Sequence, residues 1–213
     1  SPRMALDSSG NLYMMSSAYD ADSLSIGGTD IGMGMFLVKV GPDGTLLWNK
    51  SLEGEALGSS FHSLVLDENE DVLVMFGYRG SLSLDDIDLP ENSHYPDDQR
   101  AVAIAHISKS GTWNWAYPVY GDTNAYSSAQ ENLLVSGDRV AYQVHASGAT
   151  YVITGDTNHT GLSGQSSYMV GLIEITTGEE VHSLPVSPSY GATGFYSPRM
   201  ALDSSGNLYM MSS

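Results

Sequence analysis

The sequence predicts an all-β chain made of repeated units, and three observations predict it. Glycine (23 residues) and tyrosine (13 residues) are abundant among many Ser and Thr, the composition of short strands joined by tight turns. No segment carries a helical period of 3.6 with caps. The segment SPRMALDSSGNLYMMSS, Ser1 to Ser17, returns unchanged as Ser197 to Ser213. A 17-residue identity does not arise by chance. It points to a duplicated unit of 196 residues, the alternative being an artificially copied segment. The chain then spans one full period and the start of the next.

Within the period a degenerate repeat is visible. One motif is a turn rich in Asp, Asn, Ser and Gly that leads into a strand of β-formers: Asp7 to Asn11 before Leu12 to Met15, Asp67 to Asp71 before Val72 to Phe76, and His145 to Ala149 before Thr150 to Thr154. The second motif is a hairpin. Phe36 to Val40 turns through Gly41-Pro42-Asp43-Gly44 into Thr45 to Trp48. Ala103 to Ile107 turns through Ser108-Lys109-Ser110-Gly111 into Thr112 to Trp115. Gly171 to Ile175 turns through Thr176-Thr177-Gly178 into Glu179 to Leu184, without a Trp. The turn glycines Gly44, Gly111 and Gly178 recur every 67 residues. Between the motifs, Ser23 to Ile26 with Asp30 parallels Ser81 to Leu84 with Asp88. The expected organisation is β unit 1 at 1–58, unit 2 at 59–121, unit 3 at 122–196, and the next period from 197 to 213. Four short strands per unit of this size are the pattern of propeller blades or related β-arrays.

These motifs resemble the bacterial and archaeal β-propeller repeats of the SBBP type. In that family an Asp-x-x-Gly-Asn turn, a Tyr-bearing strand, a variable Gly/Asp-rich stretch and a Phe…Lys…Gly…Trp hairpin follow one another. Asp7, Gly10, Asn11, Tyr13, Phe36, Lys39, Gly44 and Trp48 match. The second unit keeps Asp67, Gly77, Gly111 and Trp115 but has Glu70 and Asp71 where the turn Gly and Asn stand. The third keeps Gly148, Tyr151, Gly155 and Gly178. The resemblance implies a four-stranded antiparallel blade per unit in a secreted or cell-surface protein, and it implies no reaction.

Propellers close with four to eight blades. Three units therefore point to an open head-to-tail array, or to two periods closing a six-bladed ring. An open sheet edge invites pairing with a neighbour, and a head-to-tail contact that does not close grows into a fibre. The segments Leu12, Tyr13, Met14, Met15 and Leu208, Tyr209, Met210, Met211 are the expected self-assembly strands. The partner is the chain itself, in tandem or as a homopolymer. The expected function is a structural extracellular filament, with an adhesin or a carbohydrate- or protein-binding propeller as the other reading.

Composition narrows the chemistry. Eight Lys and Arg against 25 Asp and Glu give a net charge of -17, which disfavours nucleic-acid partners and anionic membranes. No apolar run is long enough to cross a membrane as a helix, so no membrane insertion is expected. Cysteine is absent, removing disulfides, thiolate zinc sites and Cys nucleophiles. The six histidines form no HExxH pair, and no G-x-S-x-G elbow or phosphate loop occurs, so no enzyme is expected. His106, at the position of Lys39, is expected to face solvent. Acidic loops containing Asp20, Asp22, Asp30, Asp85, Asp86 and Asp88 offer oxygen ligands of the kind calcium takes, and Ca2+ is the one cofactor expected. Asn49 and Asn158 head sequons, the latter in an expected loop, so a glycan is a possible partner. Met14, Met15, Met33, Met35 and Met75 read as core, and Trp48, Trp113 and Trp115 as packing between strands.

Overall fold

The computed structural model describes residues 2–18, 24–32, 34–52, 61–91, 100–122, 125–126, 133–147, 149, 151–160, 166–186 and 199–211. All regular structure among them is antiparallel β-sheet. Strands β1 (Arg3–Leu6) and β2 (Leu12–Ala18) form a hairpin, β3 (Ser25–Ile26) and β4 (Thr29–Asp30) a short second one, and β5 (Gly34–Val40) and β6 (Leu46–Leu52) a third. The sheet order is β1-β2-β5-β6, with β3-β4 set apart. The plan repeats in β7 (Phe61–Leu66), β8 (Val72–Arg79), the hairpin β9 (Leu82–Leu84) and β10 (Ile87–Leu89), β11 (Arg100–Ile107) and β12 (Trp113–Gly121). After β13 (Ala125–Tyr126) it appears again in β14 (Leu133–Ser136), β15 (Arg139–Ser147), the hairpin β16 (Tyr151–Thr154) and β17 (Thr157–Thr160), β18 (Ser166–Glu174) and β19 (Glu180–Val186). The final hairpin, β20 (Arg199–Leu202) and β21 (Leu208–Met211), pairs in the register of β1 and β2: Arg199 faces Met211 as Arg3 faces Met15.

The pairing register makes the units comparable residue by residue. Each closing hairpin carries a register shift at the same place, at Lys39/Val40, His106/Ile107 and Leu172/Ile173. Lys39, His106 and Leu172 are therefore equivalent, as are their partners Trp48, Trp115 and His182. Gly44, Gly111 and Gly178 close these turns at φ 85°, 90° and 73°, a conformation that only glycine adopts without strain.

The third unit differs from the expected one. Its opening turn is not His145 to Ala149, since His145 to Ser147 belong to β15. The turn is the two-residue Gly137-Asp138 between β14 and β15, with Gly137 at φ 56°. The strand beginning at Tyr151 is half of the inserted hairpin. It pairs with β12 and so extends the second sheet to six strands, β17-β16-β12-β11-β8-β7.

The first strands of successive units pack side by side, β1 against β7, β7 against β14, and β14 against β20. The sheets bury their faces on one another. Tyr13, Met15, Met35 and Leu37 of the first sheet join Val72, Val74, Phe76 and Ala103 of the second in one core. The opposite face of the second sheet sends Leu73, Met75, Val102 and Ile104 into another core with Tyr142, Val144 and Met169. Every residue of β8 from Val72 to Tyr78 is buried, because both faces of this sheet are covered.

A latch joins consecutive units. Trp48 Nε1–H donates to the carbonyl of Lys109 at 3.0 Å, and Trp115 Nε1–H to that of Ile175 at 2.6 Å. Each acceptor lies beside the closing turn of the following unit. A Cβ on Gly111 would stand 3.2 Å from the Trp48 ring, and one on Gly178 2.5 Å from that of Trp115. Gly44 has no atom within 4 Å of that position. The three tryptophans thus serve packing, Trp113 and Trp115 being buried.

Candidate functional site

The opening turns of the first two units gather the polar chemistry. In the first unit Asp7 accepts the N–H groups of Ser9 (3.1 Å) and Asn11 (2.8 Å) on Oδ1. Its Oδ2 accepts the Asn11 side-chain amide at 2.8 Å. The Lys39 ammonium lies 3.4 Å from the same oxygen and 4.7 Å from the centre of the Tyr13 ring. Burial opposes ionisation of Asp7. The Asn11 side chain, the Asn11 N–H and the Lys39 ammonium outweigh it and hold the carboxyl at about 2. The buried charge is thus balanced within the unit.

The second unit keeps the turn and changes the charges. Asp67 Oδ1 accepts the N–H groups of Asn69 and Asp71, each at 2.8 Å. Asp71 replaces Asn11, and His106 replaces Lys39. Glu70, at φ 65°, stands where Gly10 does; its carboxylate accepts the Ser8 N–H at 2.8 Å, which ties the two turns together. His106 Nε2 points between the carboxylates, 3.7 Å from Asp67 Oδ2 and 3.8 Å from Asp71 Oδ2, and has no hydrogen-bond partner. Its Nδ1 lies 3.3 Å from the Asn114 amide. Burial lowers the affinity of His106 for a proton, and the flanking Asp71 and Asp67 oppose that shift. Asp67, Asp71 and His106 are the one group among the described residues whose ligand atoms converge closely enough to hold a metal ion.

This places the metal candidate away from the expected calcium loops. Asp20 and Asp22 lie outside the described residues, as does Met33. Asp30 caps its own loop by accepting the Gly32 N–H at 2.9 Å. Asp85, at the β9–β10 turn, pairs with Lys50 at 2.6 Å, while Asp88 accepts the Ser83 hydroxyl. Asp86 is exposed on the same turn. His106, expected on the surface, is buried because its sheet is covered on both faces. Asn49 and Asn158 are both exposed, but Asn158 sits on strand β17 rather than in a loop.

A second polar group lies at the seam of units 2 and 3. His159 Nε2 is 2.8 Å from both the Thr154 and the Ser183 hydroxyls. Glu180 accepts hydrogen bonds from Thr154, Ser183 and Tyr117. The carboxylate thus takes the hydroxyl protons directly instead of orienting the imidazole from behind, which is the order that activates a serine nucleophile. The cluster borders a cleft of about 590 Å³ lined by Pro90, Tyr117, Tyr120 and Glu180. Sequence reasoning had no signal for it, since His159 and Ser183 lie on different sheets and meet only where those sheets pack.

The chain was compared with protein-family models and with curated proteins, and neither comparison finds a match.

Proposed function

We propose that the chain is a structural tandem-repeat protein whose periods join head to tail, each new period docking its first hairpin on the third unit of the one before. One observation carries this reading: the two copies of the 17-residue segment bury opposite faces. In the first copy Tyr13 and Met15 are buried, while Met4 and Leu6 are 57% and 66% exposed. In the second copy Met200 and Leu202 are half-buried beside the third unit, and Tyr209 and Met211, on the other face, are 58% and 70% exposed. The register equates Met4 with Leu64 and Leu133, which are 8% and 2% exposed because a preceding unit covers them. The surface on Met4 and Leu6 is therefore the one that a preceding third unit fits. The third unit meets the second copy there, and Val170, Leu172, His182 and Leu184 line a groove together with Leu208 and Met210.

Chain 1–196 leaves this groove open. Sedimentation velocity is expected to show concentration-dependent oligomers of 1–196 that Met4→Asp abolishes, and smaller species for 1–213. A 1–196 chain that stays monomeric at every concentration overturns the reading. A chain of two periods distinguishes array from ring, an elongated scattering profile marking the first and a compact one a closed six-unit propeller. The filament, its extracellular placement and glycans on Asn49 and Asn158 belong to the same proposal. The cleft beside Tyr117 and Tyr120 favours a second reading, a carbohydrate- or protein-binding module, which glycan-array binding lost in Tyr120→Ala would support.

A further inference from the structure

We propose that Asp67, Asp71 and His106 bind a divalent transition-metal ion of the zinc class, which takes over in the second unit the task of the Lys39 ammonium in the first. The argument is a comparison of charge at equivalent positions. The first unit sets Lys39 against Asp7, with the neutral Asn11 alongside. The second sets two carboxylates against an imidazole, so that without a cation two negative charges share a pocket. Asp67 and His106 are there almost wholly buried, their side chains 3% and 6% exposed. Buried like charges of this kind are costly unless a counter-charge is present. Lys109 is nearby, but its ammonium is bonded to the Asn69 carbonyl at 3.2 Å, and it meets Asp71 through its backbone N–H at 2.7 Å.

The geometry suits a metal better than a direct hydrogen bond. At 3.7 and 3.8 Å, His106 Nε2 is too far from the carboxylate oxygens to donate to either. A tetrahedral ion with ligand bonds of about 2.1 Å separates its ligand atoms by roughly 3.4 Å, so tenths of an ångström close the site. Oδ1 of each aspartate is held by backbone N–H groups, which aims each Oδ2 inward. Asn114 supports the imidazole from behind. Its amide nitrogen faces Nδ1 at 3.3 Å, and a flip of the amide, which exchanges its nitrogen and oxygen, lets it accept the Nδ1–H and leaves the Nε2 lone pair for the ion. One imidazole nitrogen with two carboxylates is a donor set for Zn2+, Co2+ or Mn2+ rather than for Ca2+ or Mg2+, which take oxygen. The fourth position opens on the Asp71 side, the more exposed of the three ligands. The ion would clamp the β7–β8 turn to β11, a role independent of any contact between periods.

The test uses chain 1–213 stripped with chelator and titrated with Zn2+ by calorimetry and with Co2+ by visible absorption. One saturable site per chain is expected, with d–d bands for Co2+, a Tm raised by Zn2+ and no rise with equal Ca2+. Asp71→Asn restores the residue found at Asn11 and should weaken Zn2+ binding by more than about tenfold. The double variant D71N/H106K rebuilds the first unit's arrangement. It should abolish the site while keeping its β-sheet circular dichroism and a Tm that no longer responds to Zn2+. Absence of saturable binding to the parent chain, an equal response to Ca2+, or undiminished binding by a folded D71N/H106K overturns the proposal.

Discussion

The two copies of SPRMALDSSGNLYMMSS make a controlled comparison within one molecule. Both fold into the same hairpin, with the same Asp–Asn turn: Asp203 Oδ1 accepts the N–H groups of Ser205 and Asn207 at 2.9 and 2.8 Å, much as Asp7 does with Ser9 and Asn11. The difference lies in what surrounds them. The first copy has β5 beside it and β7 against it; the second has β14 against it. Local sequence therefore sets turn and register, and the neighbouring unit decides which face becomes core. Hairpins of this kind are marginal on their own and are stabilised by what covers them.

The largest expected effect tests that division directly. Tyr13 is fully buried and Tyr209 is 58% exposed, although the two are the same residue of the repeat. Tyr13→Ala should cost about 3–5 kcal/mol in urea unfolding, whereas Tyr209→Ala should leave the midpoint unmoved. Equal losses at both sites would mean that the hairpins share one environment. A smaller effect separates the opposite face. Met200→Asp should loosen the second hairpin by about 1–3 kcal/mol, read as faster hydrogen exchange at Tyr209 to Met211, while Met4→Asp should be silent in chain 1–213. The smallest effect is electrostatic. The folded Asp7 carboxyl, at about 2, lies below its ordinary value of 3.8. Its stabilisation is therefore present above pH ~4 and is lost as pH falls toward ~2. Asp7→Asn should flatten the decline of the urea midpoint across that window.

Much of the fold was legible because turns need particular residues. The 67-residue spacing of Gly44, Gly111 and Gly178 marked three hairpins, and the acidic turns at Asp7 and Asp67 marked two unit starts. The opening turn of the third unit was misplaced because the two-residue turn at Gly137-Asp138 has no aspartate loop to recognise, whereas His145 to Ala149 imitates one in composition. The metal candidate was hidden for a different reason. His106 lies on a strand buried on both faces, where the alternation that separates inside from outside disappears. Its partners Asp67 and Asp71 are indistinguishable in sequence from the solvated acids of an acidic chain. The sequence set His106 at the position of Lys39, as the register confirms by pairing Leu73 with His106 as it pairs Tyr13 with Lys39, but only the fold shows that Asp67 and Asp71 converge on it.

The tryptophan latch gives the molecule a polarity. Each indole reaches forward to the succeeding turn, so a unit is fastened through its successor's backbone rather than its own. The series is interrupted at the third unit, where His182 occupies the equivalent position and lines a groove instead. In an array of such periods every third seam would lack an indole, and tension along the chain would open those joints first, releasing whole three-unit blocks rather than single sheets.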